Sequence, residues 1–273
     1  MNLQELKKQI RQKRSYLCVG LDPDIQKLPS GVPDSANGLA DFCIQVAEAC
    51  LPYAVSFKVN TAFFESLGSP GWEAMHTVFA YLKTLPAFII ADAKRGDIGN
   101  TSAHYARAFF EESGADAITI SPYMGQDSVQ PFLQYPGKTA ILLALTSNEG
   151  HADFEMQDLA NGQKLYEWIL KKAISWPAQS DLMFVIGATR ASEMSQVRKA
   201  CPDHFFLVPG VGAQGGDLAE ISRKGFNTEV GLLVNASRSI LYASSGLDFA
   251  KAAAKEAGKI QEEMDKLLFE HGF

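Results

Sequence analysis

Apolar side chains recur along the chain in short unbroken runs, separated by longer stretches in which apolar and polar positions follow helical spacing. Eight runs read as strands: residues 16–21 (YLCVGL), 54–59 (AVSFKV), 87–92 (AFIIAD), 116–121 (DAITIS), 139–145 (TAILLAL), 182–187 (LMFVIG), 205–210 (FFLVPG) and 230–235 (VGLLVN). They are continuous rather than alternating, as expected of parallel strands covered on both faces. Between them, residues 40–51, 102–113 and 162–174 carry helical periodicity, and the Ala-, Lys- and Glu-rich tail 248–270 predicts a long helix. At the other end Leu3, Leu6 and Ile10 predict an amphipathic helix leading into the first strand.

Eight strands alternating with helices over about 250 residues is the arithmetic of a single (β/α)8 barrel, with no linker-like stretch to divide residues 1–273 into two domains. The expected fold is therefore an α/β TIM barrel with an extra N-terminal helix. Two long loops are expected, one after strand one at residues 23–38, rich in Pro, Gly and Ser, and one after strand five at residues 148–162. In such a barrel the chemistry gathers where strands end. Polar residues stand at those ends: Asp22 after strand one, Lys58 and Asn60 on strand two, Asp92 and Lys94 on strand three, and Thr146 and Ser147 after strand five. Strand seven runs into PGVGAQGGD (209–217) and strand eight into Asn-Ala-Ser-Arg-Ser (235–239).

Composition narrows the function classes. The 273 residues carry a formal net charge of −6 and a pI near 5.4, which argues against a nucleic acid or other polyanion as the main partner but leaves room for a small basic pocket. The apolar runs are strand-sized, too short for a membrane span. The charged first fourteen residues do not read as a signal peptide, so a reducing, cytoplasmic setting is expected. Cys18, Cys43, Cys50 and Cys201 lack CxxC spacing and are expected to be buried small hydrophobes, and the two Asn-x-Ser/Thr matches at Asn100 and Asn235 to be chance. The five histidines share no ligand spacing, so no metal is expected; His151, in the loop after strand five, is the one to watch.

The densest chemistry lies at residues 89–102, IIADAKRGDIGNTS. Side chains two apart on a strand point the same way, which predicts that Asp92 and Lys94 share a partly desolvated barrel mouth. Burial alone would lower the Lys94 pKa, but neighbouring carboxylates favour its charged form, so a protonated lysine and proton donor is expected. Gly96 would let the turn bring Asp97 back toward the pocket, and Arg95, pointing away, would be structural. The same spacing also suits a structural ion-pair cluster at a strand end. The GVGAQG of residues 210–215 fits GxGxxG but follows the seventh strand instead of the first. Within a barrel it reads either as a flexible loop or as a phosphate loop to which Arg238 could add its guanidinium fork.

DAKRGDIGNTS (92–102) resembles the Asp-x-Lys-x-x-Asp-Ile-x-x-Thr signature of the orotidine 5′-phosphate decarboxylase family. The resemblance extends over nearly the whole chain through GLDP (20–23), FKVN (57–60), PGVGAQGGD and SRSI (237–240). It implies a cofactor-free decarboxylation of orotidine 5′-phosphate to UMP, the last step of de novo pyrimidine nucleotide synthesis. Implied with it is an alternating charge network of Lys58, Asp92, Lys94 and Asp97, Lys94 being the proton donor. Asp22 and Lys58 are implied as ribose-hydroxyl contacts, Ser147 as the pyrimidine contact, Gln214 and Arg238 as phosphate ligands, and Pro209 as pocket lining. The resemblance also implies a homodimer in which Asp97, Ile98 and Thr101 reach into the partner's site. Ser237 departs from the pattern, standing where shorter members often have Gly, which touches one backbone contact to phosphate. The rival expectation is a Mg-dependent sugar-phosphate decarboxylase or aldolase of the same superfamily. Those enzymes place a Glu ligand on strand two, where Lys58 would repel the ion.

Overall fold

The computed structural model describes residues 1–211 and 216–273. Eight parallel strands close into a barrel in sequence order: β1 (Leu17–Leu21), β2 (Ser56–Asn60), β3 (Phe88–Arg95), β4 (Ala117–Ile120), β5 (Thr139–Leu145), β6 (Asp181–Ile186), β7 (Phe205–Pro209) and β8 (Leu232–Ala236). β8 pairs back onto β1 through Leu17 and Val234, which leaves no sheet edge. All eight expected strands are present, and their continuous apolar runs are buried because helices cover the outer face while side chains fill the lumen.

The main helices are α1 (Leu3–Lys13), α2 (Ala36–Cys50), α3 (Ser69–Leu82), α4 (Gly99–Arg107), α5 (Leu165–Ile174), α6 (Ala191–Ala200), α7 (Leu218–Gly225) and α8 (Phe249–Glu270). In α1 the Asn2 side chain accepts from Glu5 N–H and the Glu5 side chain accepts from Asn2 N–H, a reciprocal cap that starts the helix. Leu3, Leu6 and Ile10 are buried, as their spacing predicts. At the helix end Lys13 Nζ donates to the carbonyls of Leu51 and Ala54, at the N-terminal side of β2. The helix thus sits at the end of the barrel opposite the strand C-termini.

The β4–β5 crossover departs from regular alternation. It holds only the short helix Gln126–Val129 and a 3-10 turn at Phe132–Gln134. Pro122, Gly125, Pro131 and the Pro136-Gly137 pair stop any longer helix, because proline lacks the N–H and glycine favours turns. Both long loops are present, the first carrying a 3-10 turn at Ile25–Lys27 and the second a single helical turn at His151–Phe154. The four cysteines are free and buried. Among the described residues, no helix is long and apolar enough to cross a membrane.

Candidate active site

Three neighbouring strands deliver a continuous chain of opposite charges to the C-terminal mouth. Lys58, buried on β2, donates from Nζ to Asp92 Oδ2 at 2.8 Å and to Asp22 Oδ1 at 3.3 Å. Lys94 Nζ donates to the other Asp92 oxygen, Oδ1, at 2.6 Å. The side chain of Lys58 is 4% exposed and that of Lys94 51%, so one ammonium is sealed between carboxylates while the other reaches open space. Burial opposes charge on Lys58, but the carboxylates of Asp22 and Asp92 outweigh it and hold its pKa above the usual lysine value. Burial likewise pushes the Asp92 carboxyl up, and the two ammonium groups with their hydrogen bonds overcome it and hold the pKa well below the usual range. Asp92 is ionised and Lys58 protonated across the neutral range.

Asp92 and Lys94 both line the mouth, but not through plain strand alternation. Ala91 pairs with Ile118 and Arg95 with Ile120, so β3 advances further than β4 between these two pairs and bulges. Lys94 takes a left-handed φ of 45°, a conformation that is uncommon and strained for a side chain of this size. Its N–H, turned out of the ladder, donates to Thr119 Oγ1 at 3.0 Å, and the same hydroxyl donates to Asp92 Oδ1 at 2.9 Å. The buried Thr119 on β4 therefore fixes both the backbone of the lysine and the carboxylate that holds it. Arg95 turns away, donating to Glu65 and to the Ala93 carbonyl and lying over the rings of Tyr105 and Phe109. That is the structural role expected of it.

Asp97 differs from the expectation that Gly96 would swing it back to the pocket. Its carboxylate accepts from the following Ile98 N–H at 2.7 Å, and it does not line the cavity of its own chain. Gly96 does not use a positive φ; the left-handed positions are Lys94 and Gly99, so the turn carries the chain outward into α4. Ile98 is 60% exposed and Thr101, in the first turn of α4, is exposed too.

The remaining expected residues face one cavity of about 670 Å³, lined by Asp22, Lys58, Asp92, Lys94, Ser147, Pro209 and Arg238. Ser147 follows a tightly held peptide: Thr146 N–H donates to Glu155 Oε2 at 2.7 Å, and Arg190 Nε donates to the Thr146 carbonyl at 3.2 Å. Gly187 lies so close to the Ser147 backbone that any side chain there would collide with it. Gln214 lies outside the described residues. Arg238 opens the short helix Arg238–Leu241 after β8. Thr119 and Ser237 join the site beyond the residues that the sequence pattern points to. A polar residue inside the apolar run DAITIS was the available signal for the first, and the departure from Gly before Arg238 for the second. Among the described residues, no group of three His, Cys, Asp or Glu side chains forms a metal cluster.

A closed parallel barrel that gathers ammonium and carboxylate groups on its first three strands, with a Gly-rich sequence after its seventh strand and an arginine after its eighth, defines a (β/α)8 enzyme working at its C-terminal strand ends. Residues 15–255 match the family model described as the orotidine 5′-phosphate decarboxylase / HUMPS family, and the chain belongs to that family. It is 48% identical over 270 residues to the orotidine 5′-phosphate decarboxylase of Phocaeicola vulgatus, covering 98% of this chain and 99% of that protein. It is 49% identical over 274 residues to that of Parabacteroides distasonis, covering 100% and 98%. The solved structure of Leishmania donovani OMP decarboxylase superposes with a TM-score of 0.81 at 35% identity, over 96% of this chain and 99% of that one.

Proposed function

We propose that the chain decarboxylates orotidine 5′-phosphate to UMP without a cofactor, as the last step of pyrimidine nucleotide synthesis in the cytoplasm. The observation that carries this reading is the Asp22–Lys58–Asp92–Lys94 array, in which a buried carboxylate bonded to two ammonium groups leaves one of them half exposed over an open cavity. Breaking the bond from C6 to the carboxylate leaves the electron pair on C6 and releases CO2. Lys94 Nζ then delivers a proton to C6, and its charge stabilises the anion as it forms. Because Lys58 and Asp92 are already paired and dry, no solvent has to reorganise when that charge develops. Rate enhancements of this class require on the order of 20 kcal/mol of barrier reduction, more than one general acid supplies. The remainder is assigned to binding of the phosphate by Arg238 and Gln214 and of the ribose by Asp22 and Lys58, with Ser147 on the pyrimidine and Pro209 as lining.

The same reading makes the enzyme a homodimer. Asp97, Ile98 and Thr101 do not line their own cavity, and Ile98 and Thr101 are exposed, as are Tyr123 and Met124 of the next loop; in this reading the three residues complete the site of a second copy. A Mg-dependent sugar-phosphate reaction is disfavoured because the Lys58 ammonium occupies the space between Asp22 and Asp92 where a cation would need a carboxylate. The test is the absorbance decay of orotidine 5′-phosphate with purified protein and EDTA. Wild type is expected to form UMP and Lys94→Ala to lose essentially all activity. No conversion by wild type, or conversion undiminished in Lys94→Ala, would respectively overturn the reaction or the assignment of the proton donor.

A further inference from the structure

We infer that Ser237 is a positioning residue, whose hydroxyl holds the Asp22 carboxylate and through it the buried end of the charge array; this rests on the decarboxylase reading. Asp22 has two anchors. One oxygen receives Lys58 at 3.3 Å, a long contact from an ammonium whose shorter bond, at 2.8 Å, goes to Asp92. The other receives Ser237 Oγ at 2.8 Å. The serine is therefore the closer restraint on the Asp22 rotamer.

The direction of the serine hydroxyl is itself set. Asn235, buried at the end of β8, donates from Nδ2 to Ser237 Oγ at 3.1 Å. With one lone pair engaged there, the single hydroxyl proton points to Asp22. The Asn235 Oδ1 is buried with no hydrogen-bond partner, so this side chain spends its donor on the serine without compensation at its acceptor. Gly20 on β1 supplies the space: a Cβ at that position would collide with Ser237 Oγ and stand 3.0 Å from Asn235 Oδ1. Gly20 has no positive φ, so room for the hydroxyl is what the glycine provides here. The result is one relay around four adjacent strands, Asn235 to Ser237 to Asp22, then Lys58, Asp92 and Lys94. Ser237 also directly precedes Arg238, so it joins the arginine's strand end to the charge array.

The experiment is steady-state kinetics on orotidine 5′-phosphate with Ser237→Ala, Ser237→Gly, Ser237→Thr, Gly20→Ala, Asp22→Asn and the Asp22→Asn/Ser237→Ala pair. Inhibition by inorganic phosphate and the thermal midpoint are measured alongside. Losing a hydrogen bond to a charged group is expected to lower kcat/KM roughly tenfold to a hundredfold in Ser237→Ala and Ser237→Gly. Gly20→Ala should do the same by displacing the hydroxyl, and Ser237→Thr, which keeps it, should recover most of the activity. If the serine acts through Asp22, adding Ser237→Ala to Asp22→Asn removes nothing further. Inhibition by phosphate should be unchanged in all Ser237 variants. Wild-type kcat/KM in both Ser237→Ala and Ser237→Gly, additive losses in the pair, or weakened phosphate inhibition would each overturn the inference. Failure of wild type to convert the substrate would instead overturn the decarboxylase reading, and this inference with it.

Discussion

Thr119 shows how much a single hydroxyl can decide. It is buried between two functional groups, accepting the displaced Lys94 N–H and donating to Asp92. Thr119→Val keeps the shape and removes both bonds. The lysine amide is then left unpaired at a strained φ, and Asp92 loses one of its three hydrogen-bond donors. Stability should fall by about 1–3 kcal/mol, read from urea unfolding, and kcat should fall at least tenfold as Lys94 loses its fixed backbone. A variant with wild-type kcat would mean that the bulge holds the lysine without the threonine. The run DAITIS marks a polar residue among apolar ones but does not say which way its hydroxyl faces. Threonine is a good strand former, and only the neighbouring strand's bulge gives its hydroxyl two partners.

At the scale of elements, Arg198 ties together pieces that helical periodicity treats as separate. It lies buried on α6 and donates to the carbonyls of Gly225, Cys201, Pro202, His204 and Gly231, stacked 3.8 Å over the ring of Phe206. Burial lowers its pKa to about 10, so the guanidinium is still charged at neutral pH. These carbonyls lie at the end of α7 and just before β7 and β8, so one side chain registers the last third of the barrel from below. Arg198→Met fills similar space but leaves the carbonyls short of donors. It should cost about 3 kcal/mol or more, visible as an earlier denaturation midpoint. Because the cage is at the opposite end from the cavity, KM should stay near wild type in the folded fraction.

Two predictions belong to the whole molecule. If Asp97 completes the partner's site, an equal mixture of Lys94→Ala and Asp97→Ala chains should recover activity that neither has alone. Random reassortment into dimers would restore about a quarter of the wild-type sites; no recovery after subunit exchange would sink the shared-site arrangement. Stability against pH follows from the half-buried His204 and the buried Asp92 and Lys58. Burial holds the His204 pKa below 6.5, so its neutral form belongs to the folded state, and stability is lost as pH falls through the unfolded value near 6.5. Asp92, held below 3.8 by Lys58 and Lys94 against burial, contributes fully above that value and loses its contribution as pH drops further. Lys58, held above 10.5 against burial by Asp22 and Asp92, contributes fully below 10.5 and loses its contribution only above it. The melting temperature should therefore decline in two steps on acidification, and His204→Phe should remove the upper step and leave the lower.

The eight strands, the N-terminal helix and the polar strand-end residues that line the cavity, Asp22, Lys58, Asp92, Lys94, Ser147 and Arg238, were legible in the chain itself, whereas Pro209 came only with the family resemblance. Burial of a parallel strand on both faces demands a continuous apolar run, and barrel chemistry demands a polar residue where that run stops. What local pattern could not carry was how neighbours alter one another. The left-handed turn at Lys94 depends on a register shift against β4, so simple alternation accounts for the Asp92–Lys94 pairing only by coincidence. The outward course of Asp97 depends on where that bulged strand enters α4. The anchoring of Asp22 by Ser237 depends on a glycine more than two hundred residues earlier leaving room for a hydroxyl. Sequence periodicity records which face of an element is buried; only the closed barrel decides which side chains from distant strands come within hydrogen-bonding distance.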